Sequence, residues 1–130
     1  MTKREIIAHW AASSDKDFKA MGILLRNGHY AWSLFLGHLV LEKLLKAMYV
    51  KNVGTDIPFT HDLTKIAEKA GLELEELQKD FLDSVTTFNI RARYPDYKDR
   101  FYKKATKRFT HEYIQQIKDF RRWLGKKLKN

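Results

Sequence analysis

Residues 30–51, YAWSLFLGHLVLEKLLKAMYVK, limit the fold more than any other stretch of this chain. At helical spacing, Leu34, Phe35, Leu39, Leu41, Leu45, Met48 and Tyr49 cover nearly the whole circumference. A helix that is apolar all round is stable only when other elements surround it. It is not a membrane span of about 20 residues, because it carries His38, Glu42, Lys43 and Lys46. The segment belongs in the middle of a soluble bundle.

The flanking sequence supplies the surrounding helices. "TKRE" gives Thr2 and Glu5 the spacing of a capping box. Ile7, Trp10 or Ala11, Ser14, Phe18, Met21 and Leu25 then recur at steps of three and four, until Gly28 ends the run as a left-handed cap. "NVGTDIP" breaks the second helix, and Thr60 is the expected N-cap of a short third one that stops at Gly71. The fourth is expected to carry Glu73, Glu75 and Glu76 in its first turn and a stripe of Leu74, Leu77, Phe81, Val85 and Phe88. Pro95 disfavours a helical Tyr94, "DYKDRFYKKA" has room for a turn or two, and Thr110 is the expected cap of a last helix to about Leu128. The last stripe is Tyr113, Ile117, Phe120, Leu124 and Leu128.

Nothing in the chain alternates as a strand does, and 6 glycines with 2 prolines are few for an all-β protein. The expectation is therefore all-α: an up-and-down bundle of four to five helices, forming one domain over residues 1–130. Asp15, Lys16 and Asp17 interrupt the place where a signal peptide needs an apolar run, and there is no cysteine, which suits the cytoplasm.

Charge is unevenly placed. Residues 98–130 hold twelve Lys or Arg against Asp99, Glu112 and Asp119, while residues 1–97 hold thirteen of each sign. The whole excess of +9 lies on the C-terminal quarter. Such asymmetry is expected of a surface that meets an acidic partner, RNA phosphates included. A basic helix could instead lie on a membrane, but its apolar stripe is better used by the core.

Two groups of residues invite chemistry. His38, Glu42 and Lys46, at i, i+4 and i+8, stack along one side of the second helix. They are either a boundary stripe meeting solvent or a partly buried set needing partners, for which Arg91 and Arg93 have the right sign. The second group is "NIRARYPDY", residues 89–97. Arginine holds a phosphate bidentately and tyrosine offers a stacking face, so Arg91, Arg93, Tyr94 and Tyr97 have the parts of a nucleotide site. In the plainer alternative, the arginines pair with Glu42 and Asp96 and the tyrosines pack. Scattered histidines without HExxH give no metal site, and the lack of a glycine-rich phosphate loop argues against a nucleotide triphosphatase.

"GHLVLEKLLKAMYV" at 37–50, "THDL" at 60–63 and "NIRARYPDY" at 89–97 resemble, in order and spacing, the three signatures of the HEPN family, the higher eukaryotes and prokaryotes nucleotide-binding domain. The resemblance is to its small single-domain prokaryotic branch, and it runs from the first helix into the last. It implies a helical bundle that commonly dimerises. It also implies a relation to the substrate-binding partner of minimal nucleotidyltransferases, often in a toxin–antitoxin-like pair. Carried over by position, the signatures fall on Glu42, Lys43 and Lys46, on His61 and Asp62, and on Arg91, Arg93, Tyr94, Pro95 and Asp96.

Many proteins of that family are metal-independent ribonucleases that use an arginine followed, four to six residues on, by a histidine. In such a site histidine would act on the ribose 2′-hydroxyl and arginine would stabilise the phosphorane. This chain departs from that pattern. His111 is too far from Arg91 and Arg93, while Arg26 with His29 and Arg108 with His111 are too close. Arg4 and His9 have the spacing, but five residues turn a helix by about 140° and separate their faces. The expectation is a nucleotide- or RNA-binding homodimer, without cofactor, working beside a nucleotidyltransferase. A ribonuclease toxin and a purely structural adaptor are the alternatives.

Overall fold

The computed structural model describes residues 1–130, with the side chains of all but Pro95 and Asp96. The chain forms α1 (Lys3–Arg26), α2 (Tyr30–Asn52), α3 (Leu63–Lys69), α4 (Glu76–Arg93), α5 (Pro95–Lys104) and α6 (Lys107–Lys129). The bundle is all-α, with six helices rather than four or five. The extra one arises because α4 continues through Arg93 and only Tyr94 separates it from α5. Tyr94 has the extended backbone favoured before proline (φ −99°, ψ 130°), and proline is well suited to the first turn of the helix that follows.

As its pattern demands, α2 is the central helix, with thirteen buried residues. α1 runs back along it as a hairpin, turned at Gly28, whose φ of 77° lies in the left-handed region. Two buried hydroxyls join the pair: Ser14 Oγ donates to the Val40 carbonyl at 2.8 Å, and Ser33 Oγ to that of Met21 at 2.9 Å. α6 crosses α2 closely at Gly37, where a Cβ would stand 2.6 Å from Ile117 Cδ1. Ile114, Ile117, Phe120 and Leu124 of α6 are buried, and Lys51 Nζ donates to the Lys127 and Leu128 carbonyls at 2.8 and 3.0 Å. α4 meets α6 through aromatic contacts, among them Phe81 with Phe120 and Phe88 with Tyr113.

The Thr2–Glu5 capping box forms as its spacing requires. Three other local expectations fail. Asp62, not Thr60, caps α3 by accepting from the Lys65 N–H. Thr106, not Thr110, caps α6, and Thr110 is buried a turn inside it. The fourth helix starts later than expected, at Glu76, so of the three glutamates only Glu76 lies in its first turn. Its buried face is Leu82, Val85, Phe88, Asn89 and Ala92, and Leu77, expected inside, is 80% exposed. Leu77 falls in the opening turn, ahead of the point where α4 reaches the core.

Candidate functional site

The polar stripe of α2 is buried. His38 is 0% and Glu42 4% exposed, because α1, α3 and α4 cover the flanks of α2. Buried charge needs partners, and the N-terminal end of α3 brings one. His61 Nδ1 stands 2.8 Å from Glu42 Oε1, and Lys46 Nζ donates to Glu42 Oε2 at 3.0 Å. His38 Nε2 lies 2.9 Å from the His61 carbonyl oxygen. A carbonyl only accepts, so the Nε2 of His38 carries the proton. Lys46 is also 5.2 Å above the Trp10 ring, which ties the cluster to α1.

Electrostatics follow from this packing. Burial alone would raise the Glu42 carboxyl, but the His61 and Lys46 hydrogen bonds and the Lys46 charge outweigh it and hold the group below its ordinary value. Burial lowers His38, and its bond to the His61 carbonyl only partly compensates. Glu42 is thus a carboxylate and His38 a neutral imidazole. His61 differs from both, with its side chain 61% exposed. A carboxylate is acceptor-only, so Nδ1–H of His61 points inward and Nε2 is turned toward solvent.

The arginines do not join this cluster. Arg91 faces a cleft of about 530 Å3 between α4 and α5, together with Arg100 and Lys104 one and two turns along α5 from Tyr97. Thr86 and Thr87 also line it, with their hydroxyls donating to the Leu82 and Ser84 carbonyls, and Ile90 and Phe101 give an apolar wall. Among the described residues no carboxylate lines this cleft or pairs with Arg91, Arg100 or Lys104. Three cations with no described acid between them form a strong local field for anions.

The remaining sequence candidates divide. Tyr97 lines the cleft, half exposed, whereas Tyr94 is exposed at the break between α4 and α5. Arg93 turns away from the cleft, its Nη1 donating to Asn89 Oδ1 at 3.3 Å. Lys43 faces α1, 2.7 Å from Asp17 and 2.8 Å from Ser13 Oγ. Asp62 caps α3, and Asp96 lies outside the described side chains. The expected pairing of Arg91 or Arg93 with Glu42 is not made, because His61 and Lys46 occupy that carboxylate. Arg100 and Lys104 escaped the sequence reading. Their signal was the spacing of Tyr97, Arg100, Phe101 and Lys104, which puts all four on one helical face.

The two groups are joined through Thr86. Its Oγ1 accepts from the Leu63 N–H at 3.1 Å, two residues beyond His61, while Thr86 also lines the cleft. With "THDL" and "NIRARYPDY" thus set on adjoining helices over a central "LEKLLKA", the comparison with known families is decisive. The family model of the HEPN domain matches residues 7–128.

The chain belongs to the HEPN family.

The HEPN match takes in every residue of the α2–α3 cluster and of the cleft between α4 and α5. Comparison with curated proteins and with solved structures gives no match. None of the described helices is long and apolar enough to cross a membrane.

Proposed function

We propose that this HEPN protein binds the phosphates of a nucleotide or of RNA in the cleft between α4 and α5. The observation that carries this reading is the convergence of Arg91, Arg100 and Lys104 on one cleft with no described carboxylate among them. Arginine forks suit phosphate oxygens, and Tyr97 offers a ring at the margin for a base. In this reading residues 1–130 act as one binding domain in the cytoplasm, as a homodimer beside a minimal nucleotidyltransferase in a toxin–antitoxin-like pair. Titration calorimetry with ATP, GTP and a short single-stranded RNA tests the binding. Wild-type protein should bind at least one of them, and an Arg91→Ala, Arg100→Ala variant with an unchanged circular dichroism spectrum should not. Equal binding by both proteins would remove the cleft from consideration.

A second reading rests on His61. An exposed imidazole whose Nδ1–H is held by a buried carboxylate presents Nε2 as a general base. With the Thr86 link to the cationic cleft, it favours RNA cleavage without metal. The His61-to-cleft arrangement differs from the arginine–histidine spacing of the family's ribonucleases. Cleavage of RNA in chelator, lost in His61→Ala, would support it; intact RNA would leave a binder.

A further inference from the structure

The α1–α6 side of the molecule carries a feature that the nucleotide reading does not use. α1 and α6 run antiparallel over α2 with their backbones apart, joined across the seam by Arg121, and leave two clefts in series, of about 610 and 450 Å3. The floor of the larger is Ala11, Ala12, Gly125, Leu44 and Leu128. Small side chains there let another backbone approach closely. The smaller continues past Phe18 and Gly22 to Ile23, which is 53% exposed.

The rims are basic. Arg26 and Lys118 edge one cleft, and Arg122, Lys126 and Lys129 the other. Among the described residues, Arg26, Lys118, Lys126 and Lys129 have no carboxylate within salt-bridge reach. Among the described residues, Asp15 is the one acid lining the clefts, shared by Arg121 at 3.0 Å and Lys19 at 3.6 Å. Arg121 crosses between the clefts, where its guanidinium lies 3.7 Å from the centre of the Phe18 ring.

We propose that this groove receives an acidic amphipathic helix from a partner protein. A helix laid between α1 and α6 would put its apolar stripe on the alanine, glycine and leucine floor and its carboxylates on the two rims. From Lys118 to Lys129 the seam is about 17 Å long, three turns of such a guest. Nucleic acid fits less well: a base-stacking track needs open aromatic faces, and Arg121 already covers the one at Phe18. A lipid surface fits less well too, since the apolar stripe of α6 is spent in the core and the site is concave.

The test uses the whole chain and a leucine–glutamate peptide of about 18 residues patterned as an amphipathic helix. A scrambled peptide of the same composition and an oligouridylate serve as competitors. The patterned peptide should bind and shift the amide resonances of residues 11–26 and 118–129, and the scrambled one should bind about tenfold more weakly. Ala12→Trp fills the floor at an exposed helical position, and Lys118→Glu with Lys126→Glu reverses the rims. Each change should weaken the patterned peptide about tenfold or more without altering circular dichroism. Equal binding of both peptides would reduce the site to unspecific charge and overturn the proposal. Groove shifts with oligouridylate alone would assign the surface to nucleic acid. A wild-type dimer that Ala12→Trp splits into monomers would make it a face between copies, and binding of no probe would end the idea.

Discussion

His61 is held twice by α2: its Nδ1 lies 2.8 Å from Glu42 Oε1, and its carbonyl accepts from His38 Nε2 at 2.9 Å. His38 and Glu42 are one turn apart, so a single helical face fixes both the ring and the backbone where α3 begins. From there the structure continues into α4, with Leu63 N–H on Thr86 Oγ1 at 3.1 Å and Thr64 Oγ1 on Asp83 Oδ1 at 2.5 Å. Thr86 is a wall of the cationic cleft. The buried polar cluster therefore sets the position of one side of the proposed phosphate site without contributing a positive charge to it.

Glu42 is the hub of that cluster, and replacing it should be costly. In Glu42→Gln the shape is kept, but Lys46 and His61 lose the charge that holds them. Both hydrogen bonds are charge-assisted and their acceptor is buried, so the expected loss is about 1–3 kcal/mol. Urea denaturation followed by circular dichroism measures it. A midpoint equal to that of the wild type would show that the cluster does not stabilise the fold.

Stability should also fall in acid, in two stages. Burial keeps His38 neutral in the folded chain, so below its ordinary 6.5 the unfolded chain takes up the proton first and stability drops with pH. One proton gives a slope of at most about 1.4 kcal/mol per pH unit. Glu42 is held below its ordinary 4.5, so its contribution is complete above that pH and is lost as pH falls further toward the folded value. His38→Gln should flatten the first stage and leave the second. Denaturation midpoints taken from pH 7 down to about pH 2 decide it, and an unchanged slope between about pH 7 and pH 5 in the variant would exclude His38 as the cause.

Gly37 marks the closest approach of α2 and α6. An added methyl would meet Ile117 Cδ1 at 2.6 Å, and because Ile117 is fully buried its side chain would have to shift within the core. Overpacking of this kind costs about 1–3 kcal/mol, against roughly 0.5–1 kcal/mol regained by alanine's better helix propensity. Gly37→Ala should therefore be net destabilising by about 1 kcal/mol. Adding Ile117→Val, which removes the clashing atom, should make the double variant more stable than the sum of the two single changes predicts. Additive thermal shifts would mean that the contact is not strained.

Much of this was legible in the sequence. The circumference of α2, the Thr2–Glu5 box and the stripe of α6 depend on local spacing, and they fold as that spacing predicts. The errors arose where two local signals competed. Thr60 and Asp62 are both good caps, and tertiary bonds, from His61 to α2 and from Leu63 to Thr86, fix where α3 begins. Leu74 packs against the core as its spacing predicts, but Leu77, which continues the same spacing, lies exposed in the first turn of α4. In the candidate site, His38, Glu42 and Lys46 were legible as a stripe, and their burial follows from its place on the central helix. That His61 rather than an arginine would reach Glu42 was not legible from the residues alone, since it depends on the fold of residues 53–62. Arg100 and Lys104 were missed because "DYKDRFYKKA" has no apolar stripe of its own beyond Phe101, so its helical face had no visible anchor.

Arg91 and Arg93, two residues apart, should behave differently, and the difference tests the cleft more sharply than removing both. Arg91 lines it beside Arg100 and Lys104, whereas Arg93 bonds to Asn89 on its own helix. Successive side chains separated by two positions point about 200° apart around a helix, so one substitution cannot stand in for the other. Arg91→Ala should weaken phosphate-ligand binding about tenfold or more, the value of a charged hydrogen bond of roughly 1.5–3 kcal/mol. The salt dependence of RNA binding should become shallower by about one phosphate contact. Arg93→Ala should leave both affinity and salt slope near wild type. Titrations of the two single variants with ATP and short RNA, at two or more salt concentrations, give the comparison. Equal losses from both would mean that the arginines act through general charge, and that the cleft between α4 and α5 does not select its ligand.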